Sequence, residues 1–332
     1  MAIKHSTTKA SGEKGYASEW NADHVIETGT GICQEATVIV ASSTSKNKNI
    51  ADYQCDGVDD QVEIQEAIDE VTATGGKVIL LEGLFRISSP IKLKKGVILE
   101  GVGCGPKDEK GTIITNTTDM RTSITATSIK NAIIKNITWK PYDPETESNV
   151  GTCISLESCQ NIIIEKCHMC SLDCILSLSN CENVIFKENR LYGGLGEWFS
   201  KAVNVNDSKV ISIRKNYMYG GDEYSIYVTG TSQWIDIEGN YFGEVYGIVT
   251  ISSTASDCIV RNNFGVDEAS RITVGGDRVS IIGNVIYSNH TYEGIKIEST
   301  ADRCVVVGNI VRNTTANYTN NGTNTQATGN NF

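Results

Sequence analysis

The chain has 332 residues, with 29 Lys and Arg against 40 Asp and Glu, for a net charge of −11. That balance excludes a nucleic-acid binder, which needs basic surface to displace counterions, and the length is ample for a sizeable core. Aromatics are 7% and glycines number 31 against 4 prolines. With abundant Asn, Ser, Thr and Ile, this suits an all-β repeat better than a helix bundle.

The chain opens on a polar arm, residues 1–36. Its first stretch, MAIKHSTTKASGEKGYASEW, lacks the apolar run of roughly 7–15 residues that a signal peptide needs. Nowhere does the chain approach the ~20 consecutive apolar residues of a membrane span. These features lead us to expect cytosolic synthesis without an export tag and no membrane partner. The arm is read as an attachment or oligomerisation segment.

Residues 37–77 read as a leading strand and a helix. Asp60 followed by Glu63 has the spacing of a capping box. Ile64, Ala67, Ile68 and Val71 share a helical face, and Gly75-Gly76 stops the helix before the strand KVILLEG. Such a helix would cover the open end of a stack of coils.

Residues 78–312 carry an internal repeat, the feature to seek first. An apolar run ends on Asn at Asn136, Asn189, Asn216, Asn240, Asn263, Asn284 and Asn309, with Cys167 in the remaining slot. The successive gaps are 31, 22, 27, 24, 23, 21 and 25 residues. A second apolar strand recurs between them, closing on Leu156, Leu178, Val205, Val228, Ile251, Val274 and Ile297. No such unit can bury its apolar face alone, so the units must stack. The alternation in SIRKN and WIDIEGN points Ile inward and charge outward. The Asn falls where the chain turns; it tolerates the left-handed conformation and can form a side-chain ladder. The fold class is therefore all-β, a right-handed parallel β-helix with an N-terminal capping α-helix. The long first gap holds KPYDPETESNVG, whose Pro141 and Pro144 suit a loop leaving the stack. Residues 313–332 read as a polar tail.

The segment DGVDDQVEIQEAIDEVTATGGKVILLEGLFRISSPIKLKKGVILEGVG resembles the N-terminal part of the pectate-lyase-like β-helix superfamily. That superfamily includes polysaccharide lyases, glycoside hydrolases, viral tailspikes and surface proteins. The preceding GYASEWNADHVIETG looks like the N-terminal arms of phage and archaeal-virus tail fibre proteins. The resemblance implies a tail fibre or tailspike that binds host-surface polysaccharide, assembles as a homotrimer and meets other virion tail proteins through its arm. Its location would be the virion, or the extracellular surface. A polysaccharide lyase or glycoside hydrolase is the alternative, and a cell-surface adhesin or filament subunit a third.

The corners after each Asn carry the chemistry. They hold the carboxylates Asp222, Glu223, Glu244, Asp267 and Glu268, which are the catalytic candidates if the protein is an enzyme. They also hold aromatics, of which Trp198, Tyr219, Tyr224, Tyr241, Tyr246 and Tyr292 are the glycan-binding candidates. Stacked coils would align them in one acidic, aromatic strip. Aromatic faces with polar handles suit sugars, and carboxylates one or two coils apart would bracket glycosidase separations. No cofactor is expected; a lyase would want Ca²⁺ on clustered Asp, for which Asp207, Asp222 and Asp236 are scattered candidates, with Arg214 as the base. No metal centre is expected in CHMCSLDC, because strand alternation splits Cys167, His168, Cys170 and Cys174 between faces. The 11 cysteines, an odd number, read as mostly reduced and internal.

Overall fold

The computed structural model describes residues 36–332 apart from 105–110, 118–121, 141–150, 172, 194–198, 267–270, 289–292, 313 and 315. Before residue 36 it describes only the strands Lys4–His5 and His24–Val25. Met1–Glu35 and Ala36–Phe332 are separate units. In the first, the two short strands pair antiparallel.

The second unit is a parallel β-solenoid whose coils each contribute to three faces. Sheet I collects the strands that precede each repeat corner, among them Val97–Gly101, Lys130–Lys135, Gln160–Glu165, Glu182–Lys187, Lys209–Arg214 and Gln233–Glu238. Sheet II takes the strands that follow, from Thr112–Asn116 through His168–Ser171 and Arg190–Gly193 to Ile310–Arg312. Sheet III takes the second apolar strand of each repeat, including Thr152–Glu157, Cys174–Ser179 and Val249–Ile251. Sheets II and III join because one strand, Tyr217–Thr229, runs unbroken around the corner and pairs with neighbours in both. The seven sheet III positions that end each apolar run align as expected: Leu156 pairs with Leu178, then Val205, Val228, Ile251, Val274 and Ile297 in turn.

Alternation decides the core. Ile162, Val184, Ile211 and Ile235 stack inward from sheet I, and Met169, Leu191, Met218 and Phe242 from sheet II, all buried. Each fully buried aliphatic side chain contributes about 1.5–3 kcal/mol relative to exposure. The helix Gln61–Val71 lays Ile64, Ala67, Ile68 and Val71 on the same core beside Val38, Val40 and Leu80. Its cap differs from the expected box. Asp60 makes no side-chain cap bond; its carboxylate turns inward to accept the Gly57 and Arg86 N–H groups at 2.8 and 2.7 Å.

The Asn row also differs in one detail. Asn189, Asn216, Asn240, Asn263, Asn284 and Asn309 form a buried ladder. The left-handed residue, however, is the one before each Asn: Glu188, Lys215, Gly239, Asn262, Gly283 and Gly308. The Asn must point its amide inward to the orphaned corner carbonyls, so the backbone turn falls on its neighbour. Asn136 has φ 58 and is itself the turning residue; Ile137 holds its coil's slot beside Cys167. Cys167 does occupy the ladder slot, donating its N–H to Asn189 Oδ1 at 3.0 Å.

The tail departs from expectation too. Ala316–Asn320 and Gln326–Thr328 pair in parallel with Glu293–Ile297 and Val305–Val307, adding a coil. Asn330 extends the ladder, accepting from Asn309 Nδ2 at 3.0 Å. The rule that built the earlier coils still holds here, because a polar strand can pair its backbone on a sheet edge as well as an apolar one.

Candidate functional site

The outer face of sheet II carries a column of rings. The first strand residue after each ladder slot points outward, as does the third; the second points to the core. Outward positions therefore fall on His168, Tyr217, Tyr241 and Phe264 in one row and on Tyr192, Tyr219 and Tyr287 in the next. Ring centroids lie 4.9 Å apart for His168 and Tyr192, 5.9 Å for Tyr192 and Tyr217, and 4.8 Å for Tyr217 and Tyr241, the last pair stacked at 2°. The column continues to Phe264 at 5.8 Å and from there to Tyr287 at 6.2 Å. Tyr219 lies 6.3 Å from both Tyr192 and Tyr217. Such pairs are worth about 0.5–1.5 kcal/mol beyond area burial.

Gly243 makes room for this packing. A Cβ there would meet Tyr219 Cδ2 at 2.9 Å and Tyr241 Cε1 at 3.2 Å. Crowding raises the Tyr217 phenol above its ordinary pKa, chiefly by burial and then by the neighbouring Tyr192 and Tyr241. Toward its C-terminal end the column opens to solvent, with Phe264 39% and Tyr287 40% exposed, whereas His168 at the other end is buried.

The sequence candidates divide. Tyr219 and Tyr241 belong to the column. Tyr224 lies on sheet III, where its ring stacks on Tyr227 at 5.3 Å and Lys201 Nζ sits 5.6 Å from the Tyr227 centroid. Tyr246 is at the following corner, its N–H bonded to Gly221 O at 3.1 Å. Glu244 is half-buried, with φ 48, a left-handed conformation unusual for Glu. Asp222 and Glu223 lie on the strand Tyr217–Thr229, their side chains outside the description. Asp267, Glu268, Trp198 and Tyr292 fall outside the described residues. Tyr192, Tyr217, Phe264, Tyr287 and His168 join the column, although they were not among the glycan-binding candidates. The signal that finds them is alternation counted from the ladder slot, one and three residues on.

Of the lyase candidates, Asp207 and Asp236 do not gather. Asp236 is forked onto Arg261 on the outer face of sheet I at 3.1 and 2.9 Å. Asp207, at the corner before sheet I, accepts the Thr231 N–H and hydroxyl at 2.8 and 3.1 Å. The described cysteines are free thiols. Burial pushes Cys167, Cys174 and Cys258 up to about 12 and Cys170 to about 11.

Residues 73–272 match the family described as the periplasmic copper-binding protein NosD, and the chain belongs to that family. No curated protein is matched by the sequence. Solved structures that resemble it include the endo-xylogalacturonan hydrolase of Aspergillus tubingensis, with TM-score 0.63 and 12% identity over 88% of this chain and 92% of that one. The A-module of a mannuronan C-5 epimerase from Azotobacter vinelandii gives 0.56 and 17%, over 83% and 96%. The surface adhesin PfbA of Streptococcus pneumoniae gives 0.55 and 12%, over 82% and 87%. Likeness at these identities establishes the parallel β-helix fold.

The virion location is overturned: the family is described as periplasmic, which points to the cell envelope. Among the described residues, the copper of the family's description finds no fitting donor set. Among the described residues one group brings three ligand atoms together, Cys55, Asp60 and Glu63, all within 4.8 Å of one another. It precedes the matched segment. Asp60 already holds two backbone N–H groups, and burial and nearby carboxylates push the Cys55 thiol upward. One protonated thiol beside two carboxylates is not the soft or imidazole set that copper takes, so no chemistry here is routed through copper. No described helix is long and apolar enough to cross a membrane.

Proposed function

We propose that the protein binds a polysaccharide, laid along the helix axis against the outer face of sheet II. The observation that carries this reading is the ring column from His168 through Tyr192, Tyr217, Tyr219, Tyr241 and Phe264 to Tyr287. Each coil advances about 4.8 Å, close to the length of one sugar ring, so successive rings can meet successive sugars. Phenol hydroxyls along the column supply the polar handles that sugar hydroxyls need. Structures with this fold that bear on polysaccharides by their descriptions, a xylogalacturonan hydrolase and a mannuronan epimerase among them, favour the same class of ligand.

A second reading, hydrolysis or lysis of that chain, draws on Glu244. Its left-handed backbone is the kind of strain that collects at working sites, and it stands close enough to Tyr217 for its charge to act on the phenol.

Isothermal titration against a panel of neutral and acidic polysaccharides tests both. We expect binding that falls about tenfold in Tyr217→Ala and in Tyr241→Ala, each loss being worth about 1.4 kcal/mol. No binding to any polysaccharide, or wild-type affinity in both variants, would remove this face as the site. New reducing or unsaturated ends that vanish in Glu244→Gln would establish the second reading.

A further inference from the structure

The outer face of sheet I breaks the rule of polar residues outward. Ile98, Ile133, Ile163 and Ile185 point away from the core in four successive coils, in register, and half-buried. The matching outward row of sheet III carries Thr125, Ser155 and Ser177. Two polar columns flank the isoleucines. On one side Asn161 donates to Asn131 at 2.9 Å and Asn183 to Asn161 at 2.8 Å. On the other run Glu100, Lys135, Glu165 and Lys187, paired within the chain as Lys135 to Glu100 at 3.2 Å and Lys187 to Glu165 at 2.7 Å.

We propose that this face is a homodimer interface in which a second copy of the chain packs two-fold, its coils running in the opposite order. The charge column selects that arrangement. Glu, Lys, Glu, Lys read backwards is its own complement. A two-fold axis parallel to the strands, crossing the face midway between Lys135 and Glu165, sets Glu100 against Lys187 of the second copy and Lys135 against its Glu165. The same axis sets Ile98 against Ile185 and Ile133 against Ile163. An isologous contact of this kind closes on itself. Each charge keeps its partner within the chain and gains one across the interface, which offsets the desolvation that pairing otherwise costs.

The area limits the strength. Four coils at about 4.8 Å extend roughly 19 Å, a patch well under the ~800 Å² per partner of a standard interface. The dimer is therefore concentration-dependent and weakens in salt.

The test is sedimentation velocity over a wide concentration range, with thermal unfolding followed on every variant. We expect a monomer–dimer equilibrium. Ile163→Lys and Glu165→Lys should each leave only monomer, with the fold intact by circular dichroism. The double exchange Lys135→Glu with Glu165→Lys should restore the dimer, because the swapped column is again complementary when reversed. A variant that unfolds is replaced by Ile133→Ser. A wild-type chain that stays monomeric throughout, a trimer (the order expected from the sequence), or a dimer indifferent to Ile163→Lys and Glu165→Lys would each overturn the proposal. So would failure of the well-folded double exchange to rescue. None of these outcomes bears on sugar binding at sheet II.

Discussion

Asn216 donates its Nδ2 to Asn240 Oδ1 at 3.0 Å, and its own Oδ1 accepts the Nδ2 of Asn189 at the same distance. The same Nδ2 also reaches the carbonyl of Phe186 at 2.9 Å, one coil back in register. Every rung thus satisfies buried backbone groups that a tight corner would otherwise strand.

Removing a middle rung should be costly. In Asn240→Ala the N–H of Asn216 and the carbonyl of Ile213 lose their partners. Each stranded group costs about 1–3 kcal/mol, so a loss of about 3 kcal/mol is expected. Asn330→Ala, at the half-exposed last rung, should cost about 1 kcal/mol. Thermal unfolding of the two variants side by side checks the order.

Two apolar residues sit where the backbone favours Asn. Val210 and Trp234 continue the row of Asn131, Asn161 and Asn183 with φ 56 and 57, and are 45% and 56% exposed. A left-handed residue with a Cβ costs roughly 1–2 kcal/mol, which Asn tolerates better. Val210→Asn should therefore raise stability by about 1 kcal/mol and lengthen the exposed Asn ladder by one rung. A lower melting temperature in Val210→Asn would contradict the strain argument.

The thiols should separate into two kinetic classes. Cys104 is exposed, whereas Cys153, Cys159, Cys167, Cys174, Cys181, Cys258 and Cys304 are buried. A thiol reagent at mild alkaline pH should label Cys104 quickly and the buried set only after denaturation. Cys104→Ser should remove one equivalent from the fast phase.

Acid should release one surface clamp. Arg278 forks onto Asp257 at 2.6 and 2.7 Å and holds its carboxyl below the ordinary value. A depressed carboxyl stabilises the fold above the unfolded value of about 3.9, and that contribution is lost as pH falls through the lower folded value. The pair is exposed, so solvent screening keeps its contribution small. Melting temperatures of the wild type and Asp257→Asn should differ at pH 6 and converge as pH falls below about 4.

The repeat, the inward rows and the capping helix were legible in the sequence, because each depends on local alternation and on spacing that the chain itself carries. The ladder was legible as a row but misread by one residue: which of two adjacent residues turns the backbone depends on which side chain must face the corner carbonyls, and those belong to other coils. The aromatic column was half legible. Tyr219 and Tyr241 stood out by composition, but His168 and Phe264 join them only through register between strands about two dozen residues apart in sequence. Tyr224, near in sequence, went to sheet III because the strand Tyr217–Thr229 runs around the corner. The isoleucines on sheet I read locally as strand-formers. Their alignment into one outward stripe, with a self-complementary charge column beside it, exists only once the coils are stacked, since parallel pairing alone brings residues from successive repeats within contact.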